Sequence, residues 1–471
     1  AVEQASFSAG GFASKYGDRT ASVTSITLRE GSREQFAGEA TLSATGGFLV
    51  AEGPMGDNGS FYISTRRSYL DLIFKAAGFG FVPAYSDLQV KVVRDLTPRD
   101  KLSFLLIGAN GTVTFFNDDA DKRFENSRVA APTQRQYFSG LTWRRLVPRG
   151  ILDVTLGRTY TDFRTIQNDS LNPPSTIFRA YSTEGENSLR ADLSVQANSR
   201  VEFGVGAVAR YASNLRYDLL LPGYLRTDDT GTPQPLAVDT TFRALRAALY
   251  GQVAWQTTPR LRTTLGLRGD HYGFLDGAAR LSPRLGARYA LTQRTTLTAS
   301  AGRYWQAPSY IWLVGDASNA TLPPFRADQA VVGVEVLVRP DVKVQLEGYV
   351  KGYAEYPRRL FRPQAVLSPS GFDDVTSDIP FGLEPLGATA KGRSFGAELF
   401  VQKQLSEIPV FGLASVSVSR TTFDGADGQA RPGSFDTRAI ANAVLGWRPN
   451  PKWDGSAVAA SVVASRAARQ R

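Results

Sequence analysis

The sequence predicts an all-β fold, a transmembrane antiparallel meander β-barrel of the 22-stranded class. Three observations lead to this prediction. Polar and apolar residues alternate with period two in segment after segment, short and long connections alternate along the 471 residues, and no apolar run approaches the ~20 residues of a membrane helix. The alternation and the turns together predict about 19 strands.

The alternation is clearest in residues 189–196, where aliphatic residues occupy the odd positions and polar residues the even ones. The same pattern recurs in 201–207 and 343–351. Because the side chains of a strand point to two faces in turn, each such strand has one apolar and one polar face. A soluble all-β protein and a membrane barrel both fit this pattern.

The connections distinguish these two alternatives. Tight turns rich in Pro, Asn or Asp alternate with long segments that show no clear period, as in outer-membrane barrels with short periplasmic turns and long external loops. No 40–50-residue repeat of a propeller is present. The expected turns are 97–100, 147–150, 197–200, 257–260, 292–295, 339–341 and 449–452, and the expected loops are about 110–133, 164–186, 212–241, 306–327, 354–391 and 424–436.

The composition argues against several classes of function. The chain has no cysteine and a single histidine, His271, which removes thiolate metal sites, most zinc sites and Ser/His/Asp catalysis. The sequence therefore predicts no enzyme, no cofactor and no metal site. The formal charge of +10 is spread singly over alternating strands, so we expect no nucleic-acid partner.

Several stretches make the chain similar to one known family. The segment 7–31 resembles the end of the plug of TonB-dependent outer-membrane receptors, and 52–56 with 64–71 resembles the first barrel hairpin of that family. Further similar stretches are 282–286, 302–308, 347–353 and 396–399. Each stretch alone is weak, but their order on an independently predicted barrel makes the resemblance specific.

The resemblance implies a division into a C-terminal remnant of the plug, residues 1–35, and an outer-membrane barrel, residues 36–471. The TonB box, most of the plug and the closing strands of such a receptor are not found in the sequence. We therefore expect a barrel with an open edge and interpret the chain as an incomplete product. Coupling to a TonB-type energy-coupling protein would run through the absent N-terminal box.

The function implied by the resemblance is TonB-energised uptake of a scarce solute, such as a ferric siderophore or similar chelate, in the cell outer membrane. The expected partners are a small-molecule ligand, outer-membrane lipid and lipopolysaccharide. The alternatives are a passive porin-like channel and a structural or adhesive surface barrel. The substrate is not readable, and siderophores, vitamin B12, nickel chelates and oligosaccharides remain open.

Two glutamates are candidates for a latch between plug and barrel. Alternation places Glu347 and Glu398 on the face that lines the lumen. The resemblance implies that wall glutamates pair with plug arginines, and Arg19 and Arg29 are the candidates here. A carboxylate on a wet wall is otherwise solvated or paired with a cross-strand Lys or Arg.

Aromatic and arginine side chains near the outer loops are candidates for substrate contact, because they stack on and pair with anionic chelates. The alternative places the aromatics in interfacial girdles and the arginines on lipopolysaccharide phosphates. The candidates are Tyr304, Trp305, Tyr310, Trp312, Tyr353, Tyr356, Arg358, Arg359 and Arg362.

Overall fold

A computed structural model describes residues 2–129, 131–227, 231–275, 279–361, 379–380, 382–433, 436–450 and 452–464. A two-stranded hairpin, β1 (Val2–Ser8) and β2 (Val23–Leu28), precedes one closed barrel that contains every other described strand. The helices are short: α1 (Leu70–Ala76), α2 (Ala120–Ser127) and α3 (Tyr310–Gly315), with a 3₁₀ turn at Ala317–Thr321. None of the helices in these ranges has the length and apolar content needed to cross a bilayer.

The barrel strands follow one another around the ring in chain order, and the paired neighbours from β3 to β22 run antiparallel. They are β3 (Ala37–Leu42), β4 (Gly46–Pro54), β5 (Gly59–Ser68), β6 (Phe81–Thr97), β7 (Asp100–Phe115), β8 (Ala131–Val147), β9 (Gly150–Asn168), β10 (Thr176–Asn198), β11 (Val201–Thr227), β12 (Pro233–Thr258), β13 (Leu261–Tyr272), β14 (Ala279–Ala290), β15 (Thr295–Gln306), β16 (Phe325–Arg339), β17 (Val342–Arg359), β18 (Leu386–Lys403), β19 (Val410–Asp424), β20 (Ala430–Pro432), β21 (Thr437–Asn450) and β22 (Trp453–Ala464).

The described strands fill 19 positions around the ring. β20 pairs with residues 422–424 of β19 and β21 with residues 410–418 of the same strand, so β20 and β21 share one position. The predicted all-β meander of about 19 strands is thereby confirmed. The expectation of an open edge is wrong for this structure, because β22 is the neighbour of β3 and closes the ring.

The outward face of the barrel is apolar and exposed. Leu249 is 71% exposed and Leu281 63%, and the outward positions of the neighbouring strands carry further leucines and valines with large exposed fractions. Apolar side chains left in water over such an area have no stabilising role, whereas in lipid they do. The outward face therefore matches the lipid-facing band of a membrane barrel.

A charge on this face is expected to destabilise the barrel although the residue is exposed. Replacing Leu267, which is 52% exposed and lies six residues above the short turn before β13, with Arg is expected to lower the free energy of unfolding by about 2–4 kcal/mol in lipid, because arginine near the bilayer midplane is poorly solvated. Urea unfolding in lipid vesicles measures the change. The control is Ser417→Arg, which places the same charge in the lumen, opposite Glu398; an equal loss in both variants would contradict the lipid-facing assignment.

The strands β10, β11 and β12 are much longer than a membrane span. The expected loops 164–186 and 212–241 are therefore largely wrong, because paired strand continues to Thr227 on one side and from Pro233 on the other. The physical reason is an apolar core above the membrane, which the alternation of these segments encodes only weakly. Its buried members include Phe178, Leu215, Tyr217, Leu219, Leu221 and Leu236.

The short turns lie at the opposite end from this core, and one of them carries a compact charge cluster. Asp341 in the β16–β17 turn accepts hydrogen bonds from Lys403 (2.6 Å) and Ser406 (2.8 Å). The Lys403 bond first, and then the Ser406 bond, lower the pKa of Asp341 to about 2.

The lowered pKa of Asp341 predicts an acid-sensitive turn. The contribution of Asp341 to stability is present above the unfolded value of ~3.9 and is lost as the pH falls from ~4 toward 2. Amide exchange of the turn is expected to accelerate in this window and not in an Asp341→Asn variant. An acid response of equal size in the variant would contradict the role of Asp341.

Candidate functional site

Two arginines of the inner wall hold a loop of the N-terminal segment by its main chain. The Nη1 of Arg268, on β13, donates to the carbonyl oxygen of Ser14 at 3.3 Å and to that of Lys15 at 3.4 Å. Arg284 on β14 donates to the carbonyl of Phe12 at 3.0 Å and also to that of Ala13. Four consecutive carbonyls are thus bound by two neighbouring strands. We call residues 9–34 the inner segment and this pair of arginines the clamp.

The clamp arginines are fixed by their own neighbours. Arg268 is buried and donates to the buried carboxylate of Asp270 at 2.8 Å. The guanidinium of Arg284 lies 4.6 Å from the ring centre of Tyr304 and 5.2 Å from that of Phe12. These contacts hold both side chains at the loop, because cation–π contacts and a buried ion pair restrict the rotamers of long side chains.

The tip of the inner segment contacts the wall beside the outer end of β15. Asp18 adopts a positive φ of 57° and accepts hydrogen bonds from Arg246 at 2.6 Å and from the backbone N–H of Ala307 at 2.9 Å. The hydroxyl of Thr20 lies 3.0 Å from the hydroxyl of Tyr356, and the side-chain amide of Gln329 donates to the backbone carbonyl of Thr20 at 2.5 Å. Separate parts of the wall, β12 on one side and the paired strands β16 and β17 on the other, therefore meet at two tip residues.

Lys351 on β17 ties the two ends of this loop together. Its ammonium group donates to the carbonyl of Ala21 at 2.9 Å and to that of Ala9. Lys351 is buried, and both of these acceptors belong to main chain. As at the clamp, these contacts are to the backbone of the inner segment and not to its side chains.

The lower part of the inner segment is held by ion pairs near the short-turn end. Glu30 pairs with Lys101 of β7 at 3.2 Å, and Arg33 pairs with Asp95 of β6 at 2.5 Å. Arg29 lies 3.2 Å from Glu52 of β4. These side chains are partly exposed, so each pair contributes little, on the order of 0–1 kcal/mol.

An apolar layer lies above the tip. The segment 307–325, which contains α3, packs against the extended strands β11 and β12, and we call this assembly the outer cap. Tyr310 and Leu313 of α3 are buried in the same core as Leu215 and Tyr217. Because Asp18 bonds to Ala307 at the start of this segment, the outer cap and the inner segment are in direct contact.

Comparison with known proteins supports the assignment of this fold. The family model described as "TonB dependent receptor-like, beta-barrel" matches residues 66–469. The chain belongs to the TonB-dependent receptor family. The predicted family is thereby confirmed, and this is a family of outer-membrane receptors and transporters, not of enzymes. Among curated proteins no match was found.

Solved TonB-dependent receptors have the same fold. A mutant of the ferric enterobactin receptor of Pseudomonas aeruginosa is similar with a TM-score of 0.68 and 15% identity, over 96% of this chain and 78% of that one. The siderophore receptor PirA of Acinetobacter baumannii is similar with a TM-score of 0.71 and 14% identity, over 97% of this chain and 72% of that one. The copper transporter OprC is similar with a TM-score of 0.68 and 13% identity, over 97% of this chain and 72% of that one.

The structure does not bring the predicted latch residues of this receptor together. Glu347 and Glu398 face each other in the lumen, as alternation predicted, and Glu347 accepts from Gln345 at 2.7 Å. Arg19 donates to the carbonyl of its neighbour Asp18, and Arg29 pairs with Glu52. The predicted pairing is therefore corrected: neither arginine reaches the two glutamates, because each has a nearer acceptor.

The predicted substrate residues divide into three groups. Tyr304, Tyr310 and Tyr356 are buried against the inner segment and the outer cap. Trp305 shares the outward phase of β15 but is only 8% exposed, because the guanidinium groups of Arg280 and Arg326 lie over its ring, and it donates to the carbonyl of Leu281 at 2.9 Å.

The other described candidates lie near the outer mouth. Arg359 forms a buried ion pair with Glu384 at 3.0 Å, and Arg358 donates to the carbonyl of Gly425 at 3.3 Å. Tyr353 stacks on Phe423 with ring centres 5.3 Å apart, and Trp312 packs partly buried in α3. Arg362 lies outside the described residues. These positions give three partly exposed candidates, Trp312, Tyr353 and Arg358.

Sequence reasoning missed the residues that hold the inner segment. The clamp arginines, Asp18, Arg246 and Lys351 were not selected, although Arg268, Arg284 and Lys351 all lie on the polar phase of their strands. The available signal was an arginine or lysine at mid-strand on the lumen face. Such a residue is expensive to bury without an acceptor, so it predicts a partner inside the barrel.

Proposed function

We propose that this TonB-dependent receptor sits in the outer membrane of a Gram-negative cell and takes up a scarce small solute. The observation that supports the proposal best is the inner segment, which the wall holds by hydrogen bonds to its backbone carbonyls. We infer that the inner segment is the C-terminal part of a plug, with the barrel beginning near residue 36. A TonB-type protein would supply the energy that displaces it.

The chemistry of the contact suits a movable plug. Hydrogen bonds from arginine and lysine to carbonyls are broken one at a time, and water in the lumen replaces each lost partner. An apolar interface of the same area would have to be exposed to water as a whole. The polar wall therefore lowers the work needed to pull the inner segment away while keeping it in place at rest.

We propose a metal chelate, most simply a ferric siderophore, as the ligand class. The support is that two of the similar structures are siderophore receptors and a third is a copper transporter. Trp312, Tyr353 and Arg358 are the partly exposed candidates for first contact, and Arg362, outside the described residues, stays a candidate from the sequence. Behind them, Tyr304 and Tyr356 would hold the inner segment, and Tyr310 and Arg359 would hold the outer cap and its neighbourhood; Trp305, on the outward face, would have no contact with the ligand.

Uptake by cells tests the proposal. The gene product that contains this chain, expressed in iron-limited cells, is expected to restore growth on a ferric siderophore only when TonB is present. A large, constant current in planar bilayers with TonB-independent uptake would instead support the porin-like alternative. Energy-independent cell-surface binding without uptake would support the adhesive alternative. The same strains grown on cobalamin, nickel chelates and oligosaccharides serve as controls for the ligand class.

A further inference from the structure

We propose that the short-turn end of the barrel carries a docking surface for the carboxylates of the peptidoglycan layer. The surface is an arc of arginines, one in each of five successive turns. The inference rests on the outer-membrane location proposed above, which puts the short turns in the periplasm. It does not depend on the solute, so a binding experiment and the uptake experiment fail separately. The arc consists of Arg99, Arg149, Arg200, Arg260 and Arg294.

The five arginines occupy equivalent positions. Each is the last residue before the second strand of a hairpin, which is β7, β9, β11, β13 or β15. In each case the backbone carbonyl of the arginine accepts a hydrogen bond of 2.7–2.8 Å from the first strand of the next hairpin, as from Gln256 to Arg200 and from Ala290 to Arg260. Because this bond uses the main chain, it fixes the position of the residue and leaves the guanidinium group free for another partner.

The arc is regular and lies on the inner side of the rim. Two strands separate each arginine from the next, so neighbours stand about 10 Å apart and the five span about 40 Å. Phe203 and Leu265 face outward and are exposed, and Arg200 and Arg260 precede them by an odd number of residues. These arginines therefore take the opposite phase, away from the lipid. The same spacing relates the other three arginines to the outward-facing Leu102, Leu152 and Leu297.

The positive charge of the arc is not balanced within the part of the protein that the structure describes. All five side chains are exposed, and none of them forms an ion pair with a described residue. Arg149 donates to the backbone carbonyl of Ala197 at 3.1 Å, which is a neutral acceptor. Carboxylates at this end of the same strands pair with other cations: Asp100 with Arg145 at 3.4 Å, Asp153 with Arg144 at 2.7 Å and Glu202 with Arg262 at 2.7 Å.

The arc ends where the charge changes sign. The equivalent position in the next turn is Asp341, whose carbonyl accepts from Gln404 at 2.8 Å and whose carboxylate pairs with Lys403 at 2.6 Å. Turns in the other half of the ring carry both signs, as with Asp57 between β4 and β5 and Lys452 between β21 and β22. The arc is therefore a local feature of β6 to β15 and not a general property of the rim.

The chemistry of these turns fits a charged polymer better than a folded protein. The interface of a folded protein has an apolar centre with aromatic anchors, whereas the residue before each arginine is polar or a proline. Guanidinium groups at regular steps suit carboxylates that recur along a flexible chain, because several pairs then form at once. Peptidoglycan carries such carboxylates on its peptide stems and faces the periplasmic side of the outer membrane. The residues before the arginines are Pro98, Pro148, Ser199, Pro259 and Gln293.

Cosedimentation of the purified full chain in detergent with peptidoglycan sacculi tests the proposal. Wild type is expected to bind sacculi at about 50 mM salt and to be released at about 0.5 M, because salt screens exposed charges. Replacing all five arginines with glutamine is expected to weaken binding at least tenfold, since each exposed pair contributes little and five act together. Replacing all five with lysine keeps the charge and is expected to lose less.

Matched double variants test the position of the arc. Arg200→Gln with Arg260→Gln removes two charges from its centre and is expected to weaken binding about threefold or more. Arg128→Gln with Lys452→Gln removes the same charge from a residue beside α2 at the outer end and from a turn in the other half of the ring. This control is expected to bind as wild type does.

Each comparison has an outcome that decides the proposal. Equal binding by wild type and the fivefold glutamine variant would overturn it, as would equal losses in the two double variants. Undiminished binding to sacculi with amidated carboxylates would do the same. Binding of phosphatidylglycerol vesicles as strong as that of sacculi would assign the arc to lipid headgroups and overturn the peptidoglycan assignment. A normal heat-shift on gels for all variants separates these results from misfolding.

Discussion

Replacing Arg268 with methionine is expected to lower the free energy of unfolding by about 3–5 kcal/mol, the largest single effect that we expect in the lumen. The variant leaves the Asp270 carboxylate buried without its partner, which stood at 2.8 Å. It also removes the donor to the carbonyls of Ser14 and Lys15. Urea unfolding of the barrel in lipid vesicles measures the loss.

A double variant separates the ion pair from the contact with the inner segment. In Arg268→Met with Asp270→Asn, no buried charge is left alone, so most of the lost stability is expected to return. The carbonyls of the loop stay unbound in both variants. If single and double variants unfold at the same urea concentration, the ion pair does not account for the loss.

The sequence predicts the barrel wall of this receptor better than it predicts the contacts between the wall and the inner segment. Period-two alternation assigned Glu347 and Glu398 to the lumen, and the register places them directly opposite each other. Residues paired in register on neighbouring strands point to the same face of the barrel. Once the lumen-facing residues of one strand are assigned, those of each neighbour with a known register follow. The barrel and the direction of its side chains follow from this local rule, whereas the family was predicted from the resemblance of several short stretches.

The partners of the inner segment do not follow from the same rule. Arg284 and Ala13 are 271 positions apart, and the wall bonds to main-chain carbonyls, which every residue type carries. The predicted latch relied on side-chain charge, and so it selected Arg19 and Arg29, which bind near neighbours instead. Contacts to main-chain carbonyls require no particular residue type in the inner segment. In the sequence they are therefore marked only by the arginines in the middle of the wall strands.

Replacing Arg284 with methionine is expected to free the loop 12–15 without leaving a buried carboxylate behind. The variant loses charge-assisted hydrogen bonds to two carbonyls, each worth about 1.5–3 kcal/mol, while methionine fills much of the space beside Tyr304. Amide exchange in residues 12–16 is expected to accelerate by at least tenfold to a hundredfold. In planar bilayers the same loosening is expected to appear as more frequent current steps.

The matched control is Arg303→Met on β15. Arg303 faces outward and pairs with Asp328 at 2.7 Å, with both side chains more than two-fifths exposed, so its loss is expected to change stability by at most about 1 kcal/mol and exchange in the loop not at all. Equal exchange in wild type and Arg284→Met would contradict the clamp. Faster exchange with unchanged current would mean that the loop is released without opening a path, so displacement of the plug would require contacts beyond the clamp.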